Sequence, residues 1–313
     1  PNYGSQSGSV EIEIVPLALT SVVTVGDKVF DGNTGATILT RDLLDVVGID
    51  DVALAGGTAT FDNPNAGTNI PVEIVALSLT GTSAHNYSIT GNASTNADIT
   101  PADANCTING YNGTYDGAAH GASGVCIGVG ANPVGGLNLG ASYTDVPGGP
   151  ANWSFTNPNY MPENGSVPIQ IIPLDLVGTF TAGNKIYDGN DAAAVLTTTL
   201  PGLIPLDIVT LDGGTATFDT ANIGTGKTVT LTGASLGGAD AGNYLLVSVD
   251  TTTADITAAT AVCDIDGYSG TYDGLEHGAS GSCTGVEGVL SGLDLGDSFT
   301  DVPRRIADGG FSN

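Results

Sequence analysis

Positive charge is nearly missing from this chain: six Lys and Arg stand against 33 Asp and Glu, a net charge of −27 at pH 7. Such an imbalance repels phosphate backbones and anionic headgroups, which argues against nucleic acid and membrane surfaces as partners. It fits the solubility of a concentrated or salt-exposed extracellular protein. Aromatic residues make up only 6%, and no aromatic cluster marks a carbohydrate or host-surface site. No apolar run approaches the ~20 residues that a spanning helix needs, and no leader peptide is recognisable, so the sequence reads as a mature product or an internal segment. The three histidines, His85, His120 and His277, are dispersed. Without a Ser-His-Asp or Cys-His arrangement, a phosphate-cradling glycine loop or a metal motif, the expectation is a protein that is not an enzyme.

What is abundant is glycine, at 47 residues, and a 41% hydrophobic content. That composition suits short strands joined by tight turns and is too rich in Val, Ile and Leu for a disordered acidic chain. The order of these residues is more informative still. Tyr3, Asn86, Cys106 and Cys126 return as Tyr160, Asn243, Cys263 and Cys283, each 157 positions later. A period of that size is the mark of an array, and arrays bind, span or scaffold more often than they catalyse.

The period is itself compound. An aromatic-Asp-Gly triplet occurs at Phe30-Asp31-Gly32, Tyr115-Asp116-Gly117, Tyr187-Asp188-Gly189 and Tyr272-Asp273-Gly274, with steps of 85, 72 and 85 residues. An Asn-Tyr pair follows the first three triplets, at Asn86-Tyr87, Asn159-Tyr160 and Asn243-Tyr244. Two module types therefore alternate, a longer A and a shorter B. The fourth triplet has no Asn-Tyr after it, but Asn2-Tyr3 matches Asn159-Tyr160, and Phe311-Ser312-Asn313 matches Phe155-Thr156-Asn157. Residues 1–14 thus read as the final strand of a B module.

Local patterning is that of strands. Val10 to Ile14, Thr58 to Phe61 and Thr228 to Leu231 alternate apolar with polar residues, and Asn109-Gly110, Asp116-Gly117, Asp212-Gly213 and Asp266-Gly267 supply hairpin turns. Only Arg41 to Val47 hints at a helical turn. The expected fold is all-β: a tandem array of small immunoglobulin-like antiparallel β-sandwich modules in A-B-A-B order. The boundaries are 1–14 (final strand of a preceding or neighbouring B module), 15–100 (A), 101–172 (B), 173–257 (A) and 258–313 (B lacking its last strand). With such short linkers, strands should run almost continuously from module to module and give a stiff rod.

Each B module holds one cysteine pair, Cys106 with Cys126 and Cys263 with Cys283. Pairing within the module is the economical expectation, stabilising it by about 3 kcal/mol in the loop-entropy estimate and placing the protein in an oxidising compartment, extracellular or at a cell surface.

The Lys-x-aromatic-Asp-Gly openings (Lys28 to Gly32, Lys185 to Gly189), the Gly-Gly-Thr-Ala-Thr-Phe-Asp runs (Gly56 to Asp62, Gly213 to Asp219) and the closing Ala-Asp-Ile-Thr resemble the bacterial YDG repeat. The Gly-Thr-Tyr-Asp-Gly and Leu-Gly-x-Ser-aromatic-Thr-Asp-Val-Pro elements of B are similar to the MBG modules that accompany it. Such modules occur in tandem in large secreted or surface-attached bacterial proteins, including adhesins of the filamentous-haemagglutinin kind. The resemblance implies an extracellular stalk or fibre and carries no catalytic residues.

Three further features admit two readings each. Asp31, Asp116, Asp188 and Asp273 suit a calcium site at module junctions, or a turn in which Asp caps the backbone, Gly takes positive φ and the ring packs inward. Lys28 with Asn86 and Lys185 with Asn243 suit an intramolecular isopeptide bond, or ordinary edge-strand and turn roles. The Asn-x-Ser/Thr sequons at Asn86, Asn92, Asn105, Asn112, Asn152 and Asn164 suit N-glycosylation, or chance in a Ser/Thr/Asn-rich β protein, since they have no counterparts in the second period. One stretch diverges: residues 302–309 carry Arg304 and Arg305, where the first B module reads Val146 to Trp153.

The expected function is structural. The chain is a subunit or repeat segment of an extracellular filament, its partners copies of itself end to end, with Val10, Ile12 and Ile14 on the inter-subunit strand. The alternative is a rod-like spacer of a surface adhesin whose binding domain lies elsewhere. No cofactor is required, calcium being the one candidate. Intact-mass measurement under denaturing conditions tests the covalent expectations. Reduction should add four hydrogens, one per cysteine, and each isopeptide bond would subtract one ammonia.

Overall fold

A computed structural model describes residues 2–301 and 305–312; the expectation for Arg304 and the head-to-tail match of Pro1 and Asn313 fall outside them. The chain is all-β, with several sheets, three short 3-10 turns and no α-helix among the described residues. No helix is long and apolar enough to cross a membrane. Two compact units form: one runs to Tyr111 and adds Ala119–Tyr143 and Gly149–Ile169, and the other comprises Asn112–Ala118, Thr144–Gly148 and everything from Gln170 onward.

In the first unit, five strands make one sheet in the order Lys28–Val29, Ala93–Thr100, Gly67–Thr80, Ala53–Phe61 and Gly35–Ala36. Alternation places Ala59 and Phe61 on the same side as Ile70, Val72 and Ile74, Leu54 joins them across the break in phase at Gly56-Gly57, and all six are buried. A three-stranded sheet, Ile38–Leu44, Leu17–Val25 and Tyr87–Ile89, contributes Val23, Ile38, Leu43 and Ile89 to that same core. The second unit repeats the plan. Leu174–Ala182 joins Val195–Thr199 and Tyr244–Val249, while Phe180 shares a core with Leu211, Ala216, Phe218, Val229, Leu231 and Ile256.

Two expectations require correction. The sheets are mixed rather than antiparallel: Leu17–Val25 pairs in parallel with Tyr87–Ile89, Leu174–Ala182 with Tyr244–Val249, and Lys28–Val29 with Ala93–Thr100. Long excursions separate the members of each pair, and parallel pairing needs that length of connection, which period-two alternation cannot reveal. The second correction concerns Arg41 to Leu44, which belong to the strand Ile38–Leu44 and not to a helical turn. The register opposite Thr20 to Val25 turns Leu43 toward the core, and Arg41 Nε donates to the Gly56 carbonyl at 2.7 Å. Sheet pairing outweighs the weak helical preference of that sequence.

The remaining segments are thinner. In the first, Asn105–Asn109 pairs with Ser123–Ile127, and Gly148–Asn157 pairs with Leu137–Asn138 and lies beside Tyr160–Ile172. Ala102, Cys126, Phe155 and Tyr160 form its core, with Trp153 packed at the edge. Within the second unit, Pro173 alone stands between Ile172 and the strand Leu174–Ala182. The last segment keeps Val262–Asp266, Ser280–Gly285 and Gly288–Leu290 in one sheet and Leu293–Asp294 with Gly310–Phe311 in another. Of its described apolar side chains, Cys283 alone is buried.

Candidate functional site

The aromatic-Asp-Gly triplet builds the same turn four times. Asp31, Asp116, Asp188 and Asp273 each accept, on Oδ1, the backbone N–H two residues on, at 3.0, 2.9, 3.2 and 2.9 Å. The following glycines have φ of 80°, 77°, 81° and 81°, left-handed values that disfavour a Cβ. In the long repeats the turn is tied to lysine. Lys28 Nζ donates to Asp31 Oδ1 at 2.6 Å and to the Asn33 and Gly35 carbonyls, and Lys185 Nζ pairs with Asp188 at 2.7 Å and donates to the Asn190 and Ala192 carbonyls. The lysine hydrogen bond, ahead of the backbone donors, holds the Asp31 and Asp188 carboxyls below the usual range. In the last repeat, His277 Nε2 lies 2.8 Å from Asp273 and lowers that carboxyl likewise.

These contacts bear on the two crosslinking and cation readings. Each ammonium is held by its own loop, and Asn243 is engaged by Asp145 and Val146, so the hydrogen bonds of these groups are explained without a Lys–Asn bond. Among the described residues, no three His, Cys, Asp or Glu side chains converge as metal ligands would. The cysteines form two disulfides, Cys106–Cys126 and Cys263–Cys283, each joining residues directly opposite on neighbouring antiparallel strands. Each therefore staples one ladder within a sheet.

The rings of the triplets and the Asn-Tyr pairs meet. In the first unit, Phe30 packs edge-on against Tyr160, centroids 5.4 Å apart and planes at 75°. In the second unit, Tyr115 packs on Tyr244 at 5.3 Å and 75°. The preceding asparagine locks each contact. Asn159 Oδ1 accepts from the Ala66 amide at 2.9 Å, while Asn243 Oδ1 accepts from the Val146 amide at 2.9 Å and its Nδ2 donates to Asp145 at 3.0 Å. Asn243 is 5% exposed and is the one buried polar side chain among the described residues.

Asp207 completes this cluster. Its Oδ2 accepts the hydroxyls of both Tyr115, at 2.7 Å, and Tyr244, at 2.5 Å, and Tyr244 Oη accepts from the Ile204 amide. Burial, then donation to Asp207, raises both phenols: Tyr244 is pushed up to about 12 and Tyr115 higher still. Sequence reasoning missed Asp207 and Asp145, although Asp207 returns from Asp50 at the 157-residue period.

The expected strand residues lie elsewhere. Val10, Ile12 and Ile14 belong to no strand and are 86%, 80% and 90% exposed. Their repeat counterparts Ile169 and Ile171 are each 1% exposed in the strand Tyr160–Ile172.

The 157-residue return and the recurring aromatic and asparagine contacts make this a chain of tandem β-sheet repeats. It belongs to the YDG domain family, which matches residues 15–97 and 173–254. No curated protein matches the chain.

Two measurements probe the cluster. Asp207→Ala leaves two phenolic hydroxyls without their carboxylate and Asp50→Ala only one. Loss of hydrogen-exchange protection over Tyr244–Val249 in the first variant should therefore exceed the loss over Tyr87–Ile89 in the second. Equal losses would remove Asp207 from this role. In alkaline titration, raised folded pKa values mean that the phenols stabilise the fold fully below pH 10.0 and lose that contribution as pH climbs to about 12. Tyrosinate absorbance should lag in the folded chain and lose part of that lag in Tyr115→Phe.

Proposed function

We propose that this chain is a non-enzymatic structural subunit or repeat segment of an extracellular filament, made of YDG-type and MBG-type modules of immunoglobulin-like sandwich form in A-B-A-B order. Residues 1–14 complete the last short module of a second copy. Cysteines used as disulfides favour an oxidising location, and the charge of −27 disfavours nucleic acid.

One observation carries the reading: the same side chains have opposite fates in two copies of one sequence. Ile169 and Ile171 are 1% exposed in the strand Tyr160–Ile172, while Ile12 and Ile14 are 80% and 90% exposed. The last segment needs such a strand. Tyr268 to Thr271, the counterpart of the strand Tyr111–Thr114, is unpaired, and Phe311 is less buried than its counterpart Phe155. A sheet edge beside an underfilled apolar face is the template on which an extended segment adds. The reciprocal arrangement leads from one copy to the next and generates an open chain.

A spacer within a longer adhesin is the second reading. It is favoured by the tandem YDG matches, because the repeat phase would be preserved if another period followed covalently.

Sedimentation of the purified chain separates them. A subunit should form concentration-dependent chains that disappear when residues 1–14 are deleted and are capped by a synthetic peptide of that sequence. A chain that stays monomeric, or a deletion that assembles as well as the parent, would overturn strand complementation and leave the spacer.

A further inference from the structure

The Asp207 cluster has a twin that is only half assembled. Val47, Asp50, Asn86 and Tyr87 return as Ile204, Asp207, Asn243 and Tyr244. The shared half is the same. Tyr87 donates to Asp50 at 2.6 Å and accepts from the Val47 amide, as Tyr244 donates to Asp207 at 2.5 Å and accepts from the Ile204 amide. The ring of Tyr87 is also as buried as that of Tyr244, at 7% and 6% exposure, so each long repeat covers its own tyrosine.

The difference lies around that ring. Asp207 takes a second hydroxyl from Tyr115, Asn243 is bonded to Asp145 and Val146, and Ile204 is partly covered by the Gly117 turn, its Cγ2 3.0 Å from where a Gly117 side chain would begin. Asp50 and Asn86 are exposed instead, and Val47 is 58% exposed. The covering elements also recur: Tyr115, Gly117 and Asp145 return as Tyr272, Gly274 and Asp301. The Tyr272-Asp273-Gly274 turn is already formed, with Gly274 at φ 81° and Asp273 capping Leu275, yet Tyr272 is 63% exposed where Tyr115 is 4% exposed.

We infer that Val47, Asp50 and Asn86 form a docking face for the Tyr272-Asp273-Gly274 turn of a second copy of this chain. The Tyr272 hydroxyl donates to Asp50, beside the hydroxyl of Tyr87, and the Asn86 amide donates to Asp301. The occupant is identified by the chain itself, since residues of the same type already make this contact around Asp207. A carboxylate has lone pairs for both phenols, and a tyrosine ring over Val47 removes apolar surface from water. The inference rests on the end-to-end order proposed above but uses none of residues 1–14. It makes the contact bipartite, with an added strand and a turn that reads Asp50 and Asn86.

Photocrosslinking with Val47→p-benzoylphenylalanine in the full chain, read by mass spectrometry, tests it alongside hydrogen exchange at residues 10–14. The expected result is an intermolecular crosslink to residues 272–276 in the assembled fraction. Tyr272→Phe, which keeps the ring at an exposed position, should raise the half-assembly concentration roughly tenfold, as should Asn86→Ala. Protection of residues 10–14 with crosslinks elsewhere would overturn the docking face and spare strand complementation. The crosslink at 272–276 without protection of residues 10–14 would do the reverse. A chain that remains monomeric at every concentration would overturn both.

Discussion

Burial of alternate side chains on one closing strand governs the short repeats. Strand Tyr160–Ile172 buries Tyr160 in a core with Phe155 and Cys126, buries Ile169 and Ile171 further along, and carries a paired edge at Tyr111–Thr114. Each fully buried aliphatic side chain stabilises by about 1.5–3 kcal/mol, so two isoleucines and a tyrosine are a large share of what a module of this size can gather. In the last segment, where no equivalent strand is paired, Tyr268 and Tyr272 are 53% and 63% exposed. The disulfide there persists with its hairpin, because Cys263 and Cys283 face each other in a ladder that needs no closing strand. The staple and the core are thus separable: the first joins residues 20 apart, and the second adds Tyr160 from the strand that follows Phe155.

A second dependence runs through Asn-Tyr. Tyr244 anchors to its own repeat through the Asp207 carboxylate, and Asn243 reaches the Asp145-Val146 loop of the repeat before it. Buried amides demand partners, and Asn243 bonds to Asp145 and to the Val146 amide of one loop, so moving that loop would strand two polar groups. This makes the contact specific as well as adhesive: an edge-on ring pair tolerates rotation about its axis, whereas an asparagine clamped between a carboxylate and an amide does not.

Much of this organisation was legible in the sequence. The 157-residue return, the strand alternation of Thr58 to Phe61 and Thr228 to Leu231, and the positive φ of the Asp-Gly glycines each follow from local chemistry. What escaped was non-local. Parallel pairing of Leu17–Val25 with Tyr87–Ile89 leaves no mark on either strand, because both still alternate. Arg41 to Leu44 looked mildly helical until the ladder with Thr20 to Val23 fixed them. Asp207 carries no motif of its own, and only its recurrence from Asp50 hinted that two tyrosines distant in sequence would share it. Lys28 and Lys185 invited a crosslink because they are rare, whereas their immediate partners are three to seven residues away.

The acidity of the chain sharpens the logic of contacts between copies. With 33 acidic residues and six basic ones, two copies repel at long range, and salt bridges cannot be the main attraction between them. The contacts around Asp207 meet that constraint by pairing carboxylates with neutral donors: Asp207 with two phenols, Asp145 with an amide. Such bonds keep the charge-assisted strength of an ionised acceptor without a cation. If copies join through Asp50 and Asp301 in the same way, raising the salt concentration screens the repulsion at a distance and leaves short-range donor–acceptor bonds and buried rings largely intact. Association should then strengthen with salt, opposite to an assembly held by ion pairs, and this dependence follows from chemistry already present at Asp207.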